Sequence, residues 1–383
     1  MSREVLLTGF GVRTAFGSGP DALRAGVFDG RPAFAPITRF DTSPYRTNLA
    51  ATGDTTASLH EVLTEVALTA TGMAGLRAGT EATVLVGTAG DFTALTHFWR
   101  TTAAREEGEA DRAVETMPAW QAEALGDALG VRGPRLAFTN ACVASASAIA
   151  YGCQLIASGR ADIVICAGAY LVEEENLAKF GSGFALSRDG AVRPFCADRS
   201  GLLLGDGAAA VVVESAESAR RRGARALGVL AGWGAASDAH HIARPHPDGT
   251  GLVTAARRAL RRAGGSPRVD YVNAHGTATK TNDPAETRGL HTLFGPDAPH
   301  IPVSSTKSTT GHLLEAAGVV ELVITLLALR DGVLPPTAGF TEPDPDCDLD
   351  YVPNRPHKAD IRRALTLNAA FGGANTALLL ERA

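Results

Sequence analysis

The sequence predicts an α/β fold in which helices cover both faces of the sheets. Short apolar runs rich in β-forming residues alternate with longer helical segments along most of the 383-residue chain. These apolar runs are continuous and do not alternate with polar residues, which is typical of strands buried on both faces. A helix ends and a new strand begins between residues 223 and 234, so we divide the chain into domains 1–228 and 229–383.

The individual elements follow from this pattern. Strands are predicted at 5–8, 83–87, 135–139, 162–167, 208–213, 270–273 and 364–367. Helices are predicted at 145–158, 250–263, 284–294 and 313–329. Alanine and serine dominate residues 141–150. Because such small side chains let a helix pack closely on all sides, we expect the first of these helices to be central and buried.

Composition and charge exclude several classes of protein. Hydrophobic residues make up 45% and charged residues 20%, the balance of a globular chain with a large core. The net charge of −5 leaves no basic surplus for general nucleic-acid binding. The apolar helix 313–329 is shorter than the ~20 residues that span a bilayer and carries Glu315 and Glu321, so we expect no membrane segment. Five cysteines without a CxxC pair, and no leader at the N-terminus, favour reduced thiols and a cytoplasmic location.

Cys142 follows a predicted strand and opens the small-residue helix. A helix N-terminus offers free backbone N–H groups and a positive dipole end, which together lower the pKa of a thiol. The same N–H groups can hold an oxyanion after the sulfur attacks a carbonyl carbon. A buried core cysteine is the alternative that the local sequence leaves open.

Two histidines are candidate site residues. His275 ends a predicted strand and precedes a glycine turn, at the carboxyl edge of a sheet. His312 ends the polar segment 304–312, whose hydroxyl and charged groups need partners wherever they are buried. These groups suggest a hydrogen-bonded network around a site, with a structural histidine and an N-capping loop as alternatives. Later in the chain, Gly372 and Gly373 permit close approach to a ligand or form an ordinary turn.

Five short motifs occur in a fixed order: LGDGA at 204–208, VNAHGT at 272–277, SSTKS at 304–308, TGH at 310–312 and FGGxN at 371–375. With them, nearly the whole chain resembles the β-ketoacyl-[acyl-carrier-protein] synthases, the elongating branch of the thiolase-fold condensing enzymes. The resemblance implies a thiolase-like fold of two similar α/β halves, with covered mixed sheets and buried central helices. The first half would carry Cys142, and the second would carry both histidines.

The resemblance also implies a mechanism, a decarboxylative Claisen condensation. Cys142 would take up an acyl group from a thioester, and His275 and His312 would hydrogen-bond the oxygen of a malonyl-type thioester as it loses carbon dioxide. Lys307 would anchor the two histidines. Two further residues, Glu286 and Asp283, would support this network and neutralise the lysine.

Other positions are assigned by the same resemblance. The backbone N–H groups of Cys142 and Phe371 would form the oxyanion hole, and Phe371 with Gly372 and Gly373 would form a gate. The substrate pocket would be lined by Ala369, Ala370, Thr277, Thr279 and His241. We expect no cofactor and no metal, although His240, His241 and His246 lie close together in the sequence.

The implied partner is an acyl carrier protein that presents phosphopantetheine-linked acyl and malonyl groups. The basic cluster that family members offer to it is missing near 58–66, so docking is expected to be weaker, differently placed or dependent on a partner subunit. The resemblance also implies a homodimer, or a heterodimer with a ketosynthase-like subunit, paired through strand 162–167.

One departure from the family affects the substrate. Ala369 and Ala370 replace an aromatic-glycine pair, which should enlarge the pocket and favour a bulky or polyunsaturated acyl group in specialised polyketide or fatty-acyl synthesis. Two alternatives to condensation remain: an acyltransferase of the same fold that forms no carbon–carbon bond, and a non-catalytic chain-length subunit.

Overall fold

The computed structural model describes residues 3–53, 56–105, 110–265 and 267–383. Ten strands of these residues form two sets of five along the chain. The first set is β1 (Val5–Thr14), β2 (Thr83–Gly87), β3 (Arg135–Phe138), β4 (Ile163–Tyr170) and β5 (Gly207–Ser215). The second set is β6 (Gly228–Ser237), β7 (Tyr271–Asn273), β8 (Val303–Ser304), β9 (Arg363–Ala369) and β10 (Ala374–Glu381). Two-residue strands lie elsewhere at Gly17–Ser18, Ala35–Pro36, Leu49–Ala50, Val333–Leu334 and His357–Lys358.

The two sets have the same topology. Their spatial order is β3-β2-β4-β5-β1 in the first and β8-β7-β9-β10-β6 in the second, which match strand for strand. The three outer strands of each set run parallel, and the two inner pairings are antiparallel. Strands β1 and β6 join the sets where Leu7 pairs with Gly228. The predicted α/β fold with two similar halves and mixed sheets is therefore confirmed, whereas the division into domains 1–228 and 229–383 stays a prediction.

Helices form layers on both sides of these strands. The longer helices of the described residues are α1 (Leu59–Met73), α2 (Phe92–Ala104), α3 (Pro118–Leu129), α4 (Ala144–Ala157), α5 (Glu174–Ser182), α6 (Ala216–Arg222), α7 (Thr250–Arg262), α8 (Asn282–Phe294) and α9 (Ala317–Asp331). Helices α4 and α9 contact strands of both sets and form the central layer, while α1, α3 and α7 cover the outer faces. Throughout the described ranges, the helices lack the combination of length and apolar character that crossing a membrane requires.

The central helices approach each other through very small residues. A Cβ atom added to Gly318 of α9 would lie 2.6 Å from the Cβ of Ala146 in α4, so only glycine fits there. Helix α9 is buried on every side from Ala317 to Leu329, which explains why its sequence has no polar face. It begins later than predicted, because residues Leu314–Ala316 form a separate 3₁₀ turn.

One expectation about the sheet is wrong. Strand β4, which contains the predicted strand 162–167, pairs with β2 on one side and with β5 on the other. It has no free edge with which a second subunit could pair. Strand β3 instead lies at the end of the sheet, and its Leu136 is 40% exposed. Among the described strands, this edge has no partner.

Candidate active site

A cavity of about 670 Å³ brings together residues from both halves of the chain. Cys142 reaches it from the first half, and His275 and His312 reach it from the second. The residues predicted for the substrate pocket also line it: His241, Thr277, Thr279, Ala369, Ala370 and Phe371. Lys307, Asp283 and Glu286 lie behind this lining and are buried.

Cys142 lies in the one-turn 3₁₀ helix Ala141–Val143, directly before α4. Only 6% of the residue is exposed, and this burial raises the pKa of its thiol to about 12. Glu315 raises the pKa further, and the positive charge of Lys307 opposes both effects. The expected lowering of the thiol pKa by the helix N-terminus is therefore wrong, because desolvation outweighs it.

The His312 ring has a defined hydrogen-bonding pattern. Its Nδ1 accepts a hydrogen bond of 3.2 Å from the backbone N–H of Leu314. Burial lowers the pKa of the ring well below its ordinary value, and Lys307 lowers it further. The ring is therefore neutral at pH 7 with its proton on Nε2, which leaves that nitrogen as a hydrogen-bond donor.

His275 is held mainly through its backbone. The carboxylate of Glu286 accepts hydrogen bonds from the backbone N–H groups of His275 and Gly276, at 2.7 and 2.8 Å. The His275 and His312 ring centroids lie 5.4 Å apart, with an angle of 80° between the ring planes. Burial, Lys307 and His312 together lower the pKa of His275 well below its ordinary value. The imidazoles of His275 and His312 are therefore both neutral at pH 7.

The turn Phe371–Gly373 closes another side of the cavity. Gly372 and Gly373 have φ angles of 83° and 79°, a region that favours glycine. Phe371 is half exposed and stacks on Phe180 with 5.6 Å between ring centroids. Phe371 is the first residue of its 3₁₀ turn and Cys142 is the second residue of its own, so neither backbone N–H has an acceptor within its turn. Both N–H groups are thus available to an oxygen atom of a ligand.

The buried charge network differs from the one expected. Lys307 is 1% exposed, and its Nζ contacts Glu321 Oε1 at 2.5 Å. The other oxygen of Glu321 accepts a hydrogen bond from Asn368 Nδ2. Glu286 and Asp283 are not the ion-pair partners of Lys307, although the Lys307 charge acts to lower the pKa of Glu286, and their supporting role stays a prediction. Glu286 instead binds the backbone at His275.

Asp283 and Glu286 hold backbone segments around the cavity. Asp283 accepts a hydrogen bond of 2.8 Å from the backbone N–H of Phe195. Burial raises the pKa of Asp283 to about 6 and that of Glu286 to about 7. Among the described residues, His, Cys, Asp and Glu side chains form no group of three or more that could bind a metal ion.

Two family models match the chain in sequence order. The N-terminal domain of beta-ketoacyl synthase matches residues 2–219, and its C-terminal domain matches residues 227–341. The chain belongs to the β-ketoacyl synthase family. The predicted family and enzyme class, a condensing acyltransferase of fatty-acid or polyketide synthesis, are thereby confirmed.

Individual relatives agree with this synthase assignment. The 3-oxoacyl-[acyl-carrier-protein] synthase 2 of Coxiella burnetii is 40% identical over 259 residues, which cover 66% of this chain and 63% of that protein. The tetracenomycin polyketide synthase ketoacyl synthase alpha subunit of Streptomyces glaucescens is 34% identical, over 99% of this chain and 97% of its own. The solved ishigamide ketosynthase/chain length factor has a TM-score of 0.94 and 33% identity, with full coverage of both chains. This likeness confirms the thiolase-like fold.

Three residues of this synthase's site were not singled out from its sequence. Glu321 and Asn368 complete the network of Lys307, and the only local signal was an acidic residue inside an otherwise apolar helix. Arg199 lines the cavity with a side chain that is only 2% exposed, and it contacts Asp344 at 2.5 Å. Nothing in the sequence around Arg199 predicted this burial.

Proposed function

We propose that this synthase joins an acyl group on Cys142 to a malonyl-type thioester, with loss of carbon dioxide. The observation that supports this is a pair of neutral imidazoles, His275 and His312, facing the same cavity as the cysteine. Two neutral N–H donors can bind a single thioester oxygen, which becomes an enolate oxygen when carbon dioxide leaves.

The first step loads Cys142. Its sulfur attacks the carbonyl carbon of an acyl thioester, the bond to the carrier's sulfur breaks, and the thiol proton of Cys142 leaves with the carrier thiol. The pKa of about 12 means that the resting sulfur is a thiol, so proton removal must accompany attack. We assign the N–H groups of Cys142 and Phe371 to the oxyanion, where such donors are worth ~3 to 4 kcal/mol each.

The second step forms the carbon–carbon bond. The bond from the malonyl methylene carbon to its carboxylate breaks, and its electron pair moves into an enolate held by His275 and His312. The enolate carbon attacks the acyl carbonyl, and the sulfur of Cys142 leaves as thiolate and takes a proton from water. Burial, and after it the Lys307 charge, lowers the pKa of both rings and keeps them neutral. No metal or cofactor enters this scheme.

Labelled substrate tests the proposal directly. With malonyl-carrier labelled in its free carboxylate and a loaded acyl group, we expect labelled carbon dioxide and a β-ketoacyl product in equal amounts. Replacing both His275 and His312 with alanine should abolish both signals. Acyl transfer without labelled carbon dioxide would favour a transferase that forms no carbon–carbon bond. Absence of acylation at Cys142 would favour a non-catalytic chain-length subunit.

We propose that an acyl carrier protein docks at the mouth of this cavity. Exposed basic side chains surround the mouth, namely Lys179, Arg188, Arg244 and Lys280. Phe184 of the cavity lining and Ile242, two residues before Arg244, add exposed apolar surface, at 62% and 79%. This charge suits an acidic carrier and the phosphate of its phosphopantetheine arm. These basic side chains would take the place of the basic cluster that the segment 58–66 lacks.

Charge reversal at the mouth tests the docking proposal. Arg188→Glu and Arg244→Glu should each raise the KM for carrier-bound substrate several-fold, since a rim charge mainly steers association. The KM for the same acyl group on free pantetheine should not change. Equal effects on both substrates would contradict docking at this surface.

We also propose that β3 pairs with a second ketosynthase-like chain, identical or different. Its free edge and its exposed Leu136 support this. Leu136→Lys should convert a dimer to a monomer in light scattering, and an unchanged mass would exclude this edge.

All five cysteines are free and buried, which suits the cytoplasm, our proposed location.

A further inference from the structure

A buried arginine lines the main cavity without using all of its hydrogen-bond donors. Only 2% of the Arg199 side chain is exposed, yet it belongs to the lining of the cavity that holds Cys142. Arginine stays protonated in proteins, so this position places a permanent positive charge in the cavity wall. Such a charge is rarely buried without acceptors for its donors, so the partners of Arg199 indicate its role.

Two of the three guanidinium nitrogens are occupied by the protein. Nε donates to the carbonyl of Thr279 at 3.0 Å, and Nη1 donates to the carbonyl of Cys196 at 2.7 Å and to Asp344 at 2.5 Å. Within the described part of the chain, Nη2 has no acceptor, and it is not fully enclosed either. The free Nη2 edge therefore opens onto the cavity that Arg199 lines.

The charge around Arg199 favours a neutral acceptor over an anion. Asp344 contacts Nη1, and Asp283 lies 3.9 Å from Nε. The pKa of Asp283 is about 6 and that of Asp344 is lowered, so both carboxylates are largely ionised at pH 7 and outweigh the single positive charge. Lys280 adds a positive charge at the exposed rim, where water and salt screen it. An anion at Nη2 would meet this negative surplus, whereas a carbonyl oxygen accepts a hydrogen bond without adding charge.

The depth of Arg199 in the cavity indicates which part of a ligand it meets. Along one strip of the lining, His275 is 4% exposed and Thr277 is 5% exposed. Thr279 is half-buried, and Lys280 is exposed at the rim. Because Arg199 binds the carbonyl of Thr279, its guanidinium lies between the imidazole of His275 and the rim. A thioester that reacts beside the imidazole and is held by a carrier outside the rim passes this depth with its pantetheine arm.

We propose that Nη2 of Arg199 donates a hydrogen bond to an amide carbonyl oxygen of the pantetheine arm, which makes Arg199 a binding residue for thioester substrates. This inference rests on the proposed function, because it takes the ligand of the cavity to be such a thioester. The two amides of the arm carry neutral carbonyl oxygens, the kind of acceptor that the surrounding charge favours. The contact fixes how far the arm enters, so it places the thioester carbon for attack by Cys142.

Acylation of the full-length protein tests this contact. Acyl groups from butanoyl to octanoyl would be attached to pantetheine, which carries both amides, and to propanethiol, which carries neither. The second-order rate of acylation of Cys142, followed by its mass increase, would be measured for wild type and for Arg199→Lys. Lysine keeps the positive charge beside Asp344 but lacks the second nitrogen.

The two thioesters should respond differently to this variant. With the pantetheine thioester, we expect Arg199→Lys to react about tenfold more slowly, the scale of one hydrogen bond from a charged donor. With the propanethiol thioester, the variant and the wild type should react at equal rates. A purely structural role of Arg199 would slow both reactions alike.

Asp344→Asn is the matched control, since it disturbs the same buried pair and leaves Nη2 in place. It should keep the wild-type ratio of the two rates. If Arg199→Lys does not fold, as judged by circular dichroism, the double variant Arg199→Met with Asp344→Asn takes its place, because it removes both charges of the pair together.

The outcomes separate this inference from the function on which it rests. Equal slowing with both thioesters, no slowing with either, or the same change of ratio in Asp344→Asn would overturn the contact with the arm while leaving the loading of Cys142 intact. No acylation of the wild type by any pantetheine thioester would overturn the proposed function as well.

Discussion

Loss of the Glu321 carboxylate should destabilise the synthase strongly, because it leaves a buried ammonium without its anion. Lys307 is 1% exposed, and its Nζ lies 2.5 Å from Glu321. Removing one partner of such a pair costs about 3 to 5 kcal/mol, roughly a thousandfold in the folding equilibrium. Glu321→Gln preserves the shape of the side chain, so this cost should come from the lost charge. A whole domain is stable by only about 5 to 15 kcal/mol, so the loss is readily measured.

Urea denaturation at a fixed protein concentration would measure this loss. The concentration must be fixed because association adds to apparent stability. Glu217→Gln is a suitable control, since Glu217 pairs with Arg221 on the surface and its loss should cost less than about 1 kcal/mol. The double variant Lys307→Met with Glu321→Leu should regain most of the stability, but not the activity. A single variant within about 1 kcal/mol of wild type, or a double variant no better than the single, would refute this reasoning.

Two further predictions concern the reaction itself. Cys142→Ala should still release labelled carbon dioxide from malonyl-carrier without forming product, because the donors for the enolate are His275 and His312. If this variant releases no carbon dioxide, the sulfur takes part in decarboxylation. The thiol pKa of about 12 predicts that alkylation of Cys142 by iodoacetamide speeds up about tenfold per pH unit from pH 7 to 9, since the thiolate fraction rises as pH rises. A plateau below pH 9 would contradict a raised pKa.

Much of the fold and the residues of the cavity could be predicted because their signals are local. Strands buried on both faces are continuous apolar runs, and β2 is found at the predicted residues. The small residues before Ala150 predicted a central helix, and α4 is the helix between the two halves. The motifs around His275 and His312 are short, so their position at the ends of elements could be read directly. The structure brings both together with Cys142 in one cavity.

The remaining features depend on long-range geometry. Lys307 pairs with Glu321 of α9 and not with Glu286, because the tertiary fold packs the short helix of Lys307 against α9. No local sequence pattern encodes this packing. Desolvation raises the thiol pKa of Cys142 and the Lys307 charge opposes it, and only the burial of the folded chain shows which effect is larger. Likewise, β3 and β4 are similar apolar strands, and only the order of the sheet shows which of them is at the edge.

The close approach of Gly318 to Ala146 has a consequence for catalysis. Cys142 precedes the helix on one side of this contact, and His312 precedes the helix on the other. The spacing of helices α4 and α9 is set here by the single methyl group of Ala146 between two backbones. Any larger residue at either position would push the reacting partners apart as it pushed the helices apart. In this enzyme, the close packing of the two central helices therefore also affects the geometry of the active site.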